Sequence, residues 1–402
     1  MLNTRKLRKD FPILEQNIIY MDTAASSLTP EPVLQKMLEF YHEYRANVGR
    51  GVFSWTLRAT EEYESARKRI ASFIGAQSKN EITYTRNTTE GINMVANGLE
   101  WKRGDKIVTS LIEHHSNFTV WLRVKQKHDV DLEIVRPCEP ATHGLLDPAD
   151  FDKVIDDDTR LVAVTQVSNT LGTIEPVKEI TELAHEHGAY VLIDGAQSVP
   201  HMKVDVRDIE CDFLAFSGHK MCGPPGSGAL YVREELTSEI QPTYVGGGAV
   251  VDAGTSYYTL ADSPSRCEAG TPAIADEIGL GAAIEYLERI GMREIEEYER
   301  RLTRKMYDGL NQIPDLEIFG PEPTSRISIL PFNLGDLPSD NVARRLNDVE
   351  ILVRSGHHCT IPLMKEVLHR SGAVRASTYF YNTQEEVGKL ISAVEEIART
   401  GI

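Results

Sequence analysis

Three stretches of the chain put reactive polar residues directly after short apolar runs. Val167-Ser168-Asn169-Thr170-Leu171-Gly172-Thr173 follows a run at 161–165, and Asp194-Gly195-Ala196-Gln197-Ser198 follows Ile193. Ser217-Gly218-His219-Lys220 follows Phe216 and leads into a glycine-rich loop at 223–228. If the runs are parallel strands, their C-terminal ends are where a ligand site is expected. A carboxylate at a buried strand end carries a large desolvation cost unless a cation faces it. Lys220 can be that cation for Asp194, and a plain buried ion pair is one reading. The other is a pyridoxal phosphate site, where a Lys amine forms a Schiff base and an Asp keeps the pyridine nitrogen protonated.

A second group is Arg354-Ser355-Gly356-His357-His358-Cys359-Thr360, after a predicted strand at 350–353. A thiol beside imidazoles admits metal ligation, an activated thiolate or a buried small hydrophobe. His357 and His358 are poor joint ligands, because consecutive side chains on extended backbone point opposite ways. His114-His115 has the same limit, and no spacing calls for a metal. Cys138, Cys211, Cys222 and Cys267 default to structural roles. The 223–228 loop does not fit G-x-x-x-x-G-K-[ST], and Gly246-Gly247-Gly248 lacks the context of a dinucleotide fingerprint. Both loops still permit close backbone approach.

The elements that must position these groups alternate between strand and helix. Ala59, Tyr63, Ala66, Ile70, Phe73 and Ile74 lay one stripe along a helix. Strands are predicted at 81–85, 106–110, 161–165, 190–193 and 213–216. Helices are predicted near 89–99, capped by the Thr88-Thr89 hydroxyls, near 116–128, and at 177–187, closed by Gly188. Short, continuously apolar strands alternating with helices imply an α/β fold whose largely parallel sheet is covered on both faces. From Pro272 the pattern becomes a long helical region to Gly291 and a second helix near 293–312. A small α+β unit follows, with strands at 327–334, 350–353 and 374–378 and helices near 339–348 and 383–398. The lobes are expected to be joined by helix rather than by a tether.

At 402 residues, two lobes are expected. A net charge of −17 argues against direct nucleic-acid binding, which needs clustered Lys and Arg. The charged N-terminus lacks a signal-peptide core, and no apolar run approaches the ~18 residues of a membrane span. The five cysteines are odd in number and include no C-x-x-C pair. A disulfide framework is therefore not expected, and a cytoplasmic location is.

The motifs Asp194-Gly195-Ala196-Gln197, Ser217-Gly218-His219-Lys220 and Arg354-Ser355-Gly356-His357-His358-Cys359 together resemble group II, SUF-type cysteine desulfurases. These are the selenocysteine-lyase-like members of the class V aminotransferases. Arg86-Asn87-Thr88-Thr89-Glu90, Glu113-His114-His115-Ser116-Asn117, Arg266-Cys267-Glu268-Ala269-Gly270-Thr271-Pro272 and Val374-Arg375-Ala376-Ser377 extend the resemblance in family order, from Asp22-Thr23-Ala24-Ala25 onward. It implies a fold-type I pyridoxal-phosphate transferase. Residues 1–20 would belong with the small domain, 21–270 would form the large cofactor domain, and 271–402 the connecting helix and small domain carrying Cys359.

The resemblance also implies roles. Lys220 would hold pyridoxal 5'-phosphate as a Schiff base and then shuttle the Cα proton. Asp194 would pair with the pyridinium nitrogen, Gln197 with the phenolic oxygen, and His114 would stack on the ring. Thr89, at a helix N-terminus, with Ser217 and His219 would hold the phosphate, and Thr271 would reach a partner subunit's site. Arg375 would bind the substrate carboxylate, with Asn169 and Arg354 completing the pocket. Cys359 would take sulfur from L-cysteine as a persulfide, leaving L-alanine. Slow basal turnover, a homodimer and a protein sulfur acceptor are further expectations, with iron–sulfur cluster assembly or other sulfur trafficking as the destination. Selenocysteine lyase or another β-lyase is the alternative enzyme, and a non-catalytic sulfur carrier the alternative non-enzyme. The chain departs from the family pattern at Gly49, where a His is frequent, at Asn87, where a Gly is, and at Cys222 and Cys267, where aromatics are. Gly49 lacks the side chain such a His would offer across a dimer, and packing is the expected role of Cys222.

Overall fold

The computed structural model describes residues 2–401. The main sheet comprises β1 (Ile82–Thr85), β2 (Lys106–Ser110), β3 (Asp131–Val135), β4 (Thr159–Thr165), β5 (Tyr190–Asp194), β6 (Phe213–Ser217) and β7 (Gly228–Val232). Their order is β1-β7-β6-β5-β4-β2-β3. Only β7 runs antiparallel to its neighbours, β1 and β6. The continuous apolar character of the central strands follows from burial on both faces. Successive side chains sort to opposite sides. Leu161, Ala163, Leu192, Phe213 and Ala215 cluster with Ile92, Val95, Trp121 and Val124 of the helices Thr88–Gly98 and Thr119–His128. Val162, Val164, Val191, Ile193, Leu214 and Phe216 join the cluster containing the helices Val177–Glu186 and Ile274–Ile290.

A second, antiparallel sheet is built from β8 (Leu316–Ile318), β9 (Ile329–Leu334), β10 (Arg354–Gly356) and β11 (Ala373–Ser377), in the order β8-β9-β11-β10. The helices Met292–Leu310, Ser339–Asn347 and Gln384–Thr400 pack with it, the last opened by a Thr383–Glu386 capping box. Ile274–Ile290 passes into Met292–Leu310 at Gly291, whose φ of +99° breaks the helical path. Ile19–Tyr20 pairs in parallel with Ile351–Leu352, and Asp22 bridges Ser377, so the N-terminal segment lies on the small sheet. No helix among the described residues is long and apolar enough to cross a membrane.

The loop after β4 stitches the two sheets together. The Ile327 amide donates to the Gly172 carbonyl at 2.9 Å, and that of Ile174 to Ser325 at 3.0 Å. Gly172 has φ +74°, and a Cβ there would lie 2.7 Å from the Ile329 carbonyl oxygen, so only glycine fits this approach.

Several elements differ from expectation. The helix beginning at Thr88 is capped by the Asn87 carboxamide, which accepts from the Glu90 amide at 3.0 Å, and not by Thr88 or Thr89. The Thr88 hydroxyl is instead taken up by Ser217 at 2.7 Å. The helix predicted near 116–128 is split into a 3-10 turn at His115–Asn117 and a helix at Thr119–His128. Strands β3, β7, β8 and β10 and the helix Glu31–Glu43 escape the pattern reading. The edge strand β3 is largely exposed, and β10 is only three residues long, which leaves no apolar run to detect.

Candidate active site

A cavity of about 460 Å³ opens at the C-terminal ends of β4, β5 and β6, faced from the small sheet by β10, the His357–Cys359 turn and Arg375. Every site residue predicted from the sequence lines it except Thr271. Thr271 is exposed and lines a separate cavity of about 1100 Å³ together with Arg86 and Glu268.

Asp194 ends β5 and is 4% exposed. Its Oδ1 accepts from the Ala196 amide at 2.9 Å. Burial raises its pKa, against the pull of Lys220 and the Ala196 amide. Lys220 closes the turn Gly218–Lys220 that follows β6. That turn is tight: a Cβ on Gly218 would fall 2.2 Å from Ser227 Oγ. Burial pushes the Lys220 ammonium down to about 8; Asp194 and Cys359 pull upward and Arg375 pushes downward. Lys220 and Asp194 line the same cavity but form no ion pair with each other.

The remaining walls offer free polar atoms. Gln197 Nε2 donates to the Ala24 carbonyl at 2.8 Å, while its buried Oε1 has no partner among the described residues. His114 Nδ1 accepts from the Ser116 amide at 3.1 Å, which assigns the ring proton to Nε2. Burial, with Lys220 and His115 adding repulsion, holds the ring neutral by pushing its pKa down to about 3. At the far end, the helix Thr88–Gly98 points its N-terminus at the cavity, beside Ser217 and His219. Ser217 Oγ accepts from the Thr88 amide at 2.8 Å, and Thr89 Oγ1 lies 2.7 Å from Ser116 Oγ. A helix start lined with hydroxyls suits a phosphate.

Opposite, Arg375 of β11 is buried and donates to the Asn169 carbonyl at 2.8 Å. Its Nε has no partner among the described residues. Burial pushes its pKa down to about 10 despite Asp22. Asp22 takes a forked contact from Arg354, with Nε at 3.1 Å and Nη2 at 2.7 Å, and reaches Arg375 at 3.4 Å. Asn169 is engaged through its side chain as well, donating from Nδ2 to the His358 carbonyl at 2.8 Å.

Cys359 is exposed to solvent at the cavity mouth. His358 and Cys359 have φ of +50° and +61°, so the backbone turns left-handed rather than running extended as expected from the sequence. The imidazoles still diverge. His358 is buried against the Ala373 carbonyl at 3.0 Å, and His357 is exposed and accepts from the Cys359 amide at 3.0 Å. Among the other thiols, burial pushes Cys267 up to about 11, and raises Cys138, Cys211 and Cys222 as well.

Two residues with a part in the site carry no role that their sequence context alone assigns. Asp22 holds both arginines. Glu113 is fully buried and accepts from Ser110 at 2.6 Å, Asn117 at 2.7 Å and the Thr165 amide at 3.0 Å, fixing the turn that carries His114. Burial pushes its pKa up to about 8, so the group is largely protonated at neutral pH. The only sequence signal for either is its place inside a longer motif.

The model of the Aminotransferase class-V family matches residues 19–390. The chain belongs to the class-V aminotransferase family. Among class-V relatives, a probable cysteine desulfurase of Methanothermobacter thermautotrophicus is 45% identical over 404 residues, covering 100% of this chain and 99% of that protein. The apo structure of a cysteine desulfurase from Thermococcus onnurineus superposes with a TM-score of 0.95 at 43% identity, covering 100% of this chain and 99% of that one. A cysteine desulfurase of Escherichia coli, in an S-sulfonic acid form, gives a TM-score of 0.93 at 33% identity, covering 100% and 99%. The class-V fold thus accounts for both sheets and for the cavity between them.

Proposed function

We propose that the protein is a pyridoxal-phosphate-dependent cysteine desulfurase that converts L-cysteine to L-alanine and holds the sulfur as a persulfide on Cys359. The observation that carries this reading is that Asp194, Lys220 and Cys359 line one cavity, with Cys359 exposed to solvent. The free Gln197 Oε1, the neutral His114 ring and the helix start at Thr88 fit the phenolic, ring and phosphate parts of the cofactor in turn. Asp194 would hold the pyridine nitrogen, Lys220 the aldehyde carbon, and Thr89, Ser217 and His219 the phosphate. When bound, the cofactor supplies an electron sink for the bond broken at Cα.

The chain's own residues supply the rest. Arg375 binds the substrate carboxylate, with Arg354 and Asn169 bounding the pocket. Lys220, as the free amine, takes the Cα proton. The Cys359 thiolate attacks the substrate sulfur: the S–S bond forms, the Cβ–S bond breaks, and its electron pair stays with the substrate carbon. Protonation of Cβ, and return of the proton from Lys220 to Cα, then release L-alanine. The exposed position of Cys359 suits delivery of the sulfur to a protein acceptor. A homodimer fits the exposed apolar stretch of Val52, Phe53, Trp55 and Leu57, in which Val52 is 90% exposed, and the outward placement of Thr271.

Arg375→Lys keeps the charge but loses the planar fork. It is expected to raise KM for L-cysteine by ~10–100-fold, the scale of one or two lost hydrogen bonds to a charged group. Steady-state kinetics measure it. The reading as a whole is tested by purifying the protein and supplying L-cysteine and L-selenocysteine in parallel. A visible cofactor band and L-alanine from L-cysteine are expected. A colourless protein that takes up no pyridoxal phosphate, or one active on L-selenocysteine alone, would overturn it.

A further inference from the structure

We propose that His115 is a positioning residue that clamps the Cys359 turn to the large sheet in the geometry needed for sulfur transfer. The proposal rests on the desulfurase reading. Left-handed backbone at His358 and Cys359 is a conformation that L-residues seldom adopt, so outside bonds must hold it. His115 supplies two of them, both to the backbone immediately after the thiol. Its backbone amide donates to the Cys359 carbonyl at 2.8 Å, and its ring Nε2 accepts from the Ile361 amide at 3.1 Å. Asn169, bonded to the His358 carbonyl, and Thr170, 2.9 Å from Thr360 Oγ1, secure the flanks, but His115 is the large-sheet residue that bonds Cys359 itself.

An accepting Nε2 requires a neutral ring with its proton on Nδ1. Partial burial and the His357 ring, 5.7 Å away between centroids, keep it neutral by lowering its pKa. The turn that places His115 is the same one that places His114, and Glu113 bonded to Asn117 braces it. One buried carboxyl thus sets both the wall of the cavity and the clamp on the nucleophile. No bond of His115 reaches the cavity's free polar atoms, so its effect falls on the thiol step rather than on substrate binding.

His115→Phe keeps the backbone donor and the ring's shape but removes the acceptor, while His115→Gln can restore an acceptor through Oε1. In the holoenzyme, rapid-quench mass analysis follows persulfide formation on Cys359, and the L-cysteine-induced change in cofactor absorbance follows substrate binding. His115→Phe is expected to slow persulfide formation by ~10–100-fold, the scale of a displaced reacting group, while changing the absorbance response by less than ~2-fold. His115→Gln is expected to recover most of the rate. Hydrogen exchange at the Ile361 amide, which needs no turnover, should speed up in His115→Phe and stay protected in His115→Gln. Wild-type persulfide rates in His115→Phe, an equal loss of the absorbance response, no rescue by Gln, or unchanged Ile361 exchange would each overturn the clamp. If the wild type forms no persulfide, the desulfurase reading fails, and the Ile361 exchange still tests the clamp.

Discussion

Cys359→Ala is expected to abolish sulfur transfer to the protein and to lower L-alanine formation from L-cysteine by at least ~10³-fold, the scale lost when one member of a concerted nucleophilic unit is removed. The fold should be unaffected. Cys359 is exposed, its side chain makes no hydrogen bond among the described residues, and Ala is no more strained than Cys at a φ of +61°. The loss is then chemical, because no other thiol is placed to substitute. Cys222 and Cys211 are buried with raised pKa values, and Cys267 and Cys138 lie outside the cavity lining. The L-cysteine-induced absorbance change should survive in Cys359→Ala, since Arg375, Lys220 and Asp194 remain. Sustained sulfur release by this variant, measured as sulfide under reducing conditions, would remove Cys359 from the mechanism.

Lys220→Ala is expected to eliminate the visible band of a lysine-bound cofactor and to lower turnover by ~10²–10⁴-fold or more through loss of the proton-transferring base. Absorbance spectra and kcat measure the two effects. The same amine predicts a pH dependence. Burial holds the Lys220 pKa at about 8, below its ordinary value, so the nucleophilic free amine is the minor form at pH 7 and the major form at pH 9. Uptake of pyridoxal phosphate by cofactor-free protein should therefore quicken as pH rises through about 8 and slow as it falls. Stopped-flow absorbance resolves this, and a midpoint near the ordinary lysine value would contradict the buried environment assigned to Lys220.

The parts of the site legible in the amino-acid sequence are those written in short contiguous segments. Asp194 and Gln197 directly follow the apolar strand β5, and Ser217–Lys220 sits where β6 ends, so an apolar run followed by polar residues locates both. Arg354 through Cys359 is likewise one segment. What is not legible depends on convergence across the chain. Asp22 matters because the N-terminal segment crosses to the small sheet, where it meets arginines from β10 and β11. Glu113 looks like any surface acid until Ser110, Asn117 and Thr165 close around it. The Thr88–Thr89 cap fails for a related reason: Ser217, distant in sequence, competes for the hydroxyl and leaves the cap to Asn87. Thr271 is legible as a motif member only, because its place outside the Lys220 cavity is a property of the fold.

The central claim is that sulfur leaves L-cysteine onto Cys359, and intact-peptide mass spectrometry of the purified protein after brief exposure to L-cysteine tests it most directly. The expected result is a mass gain of one sulfur atom on the peptide containing Cys359, removed by a thiol reductant and absent from Lys220→Ala. An unmodified Cys359 peptide accompanied by L-alanine, or the added sulfur on Cys138 or Cys267 instead, would contradict it.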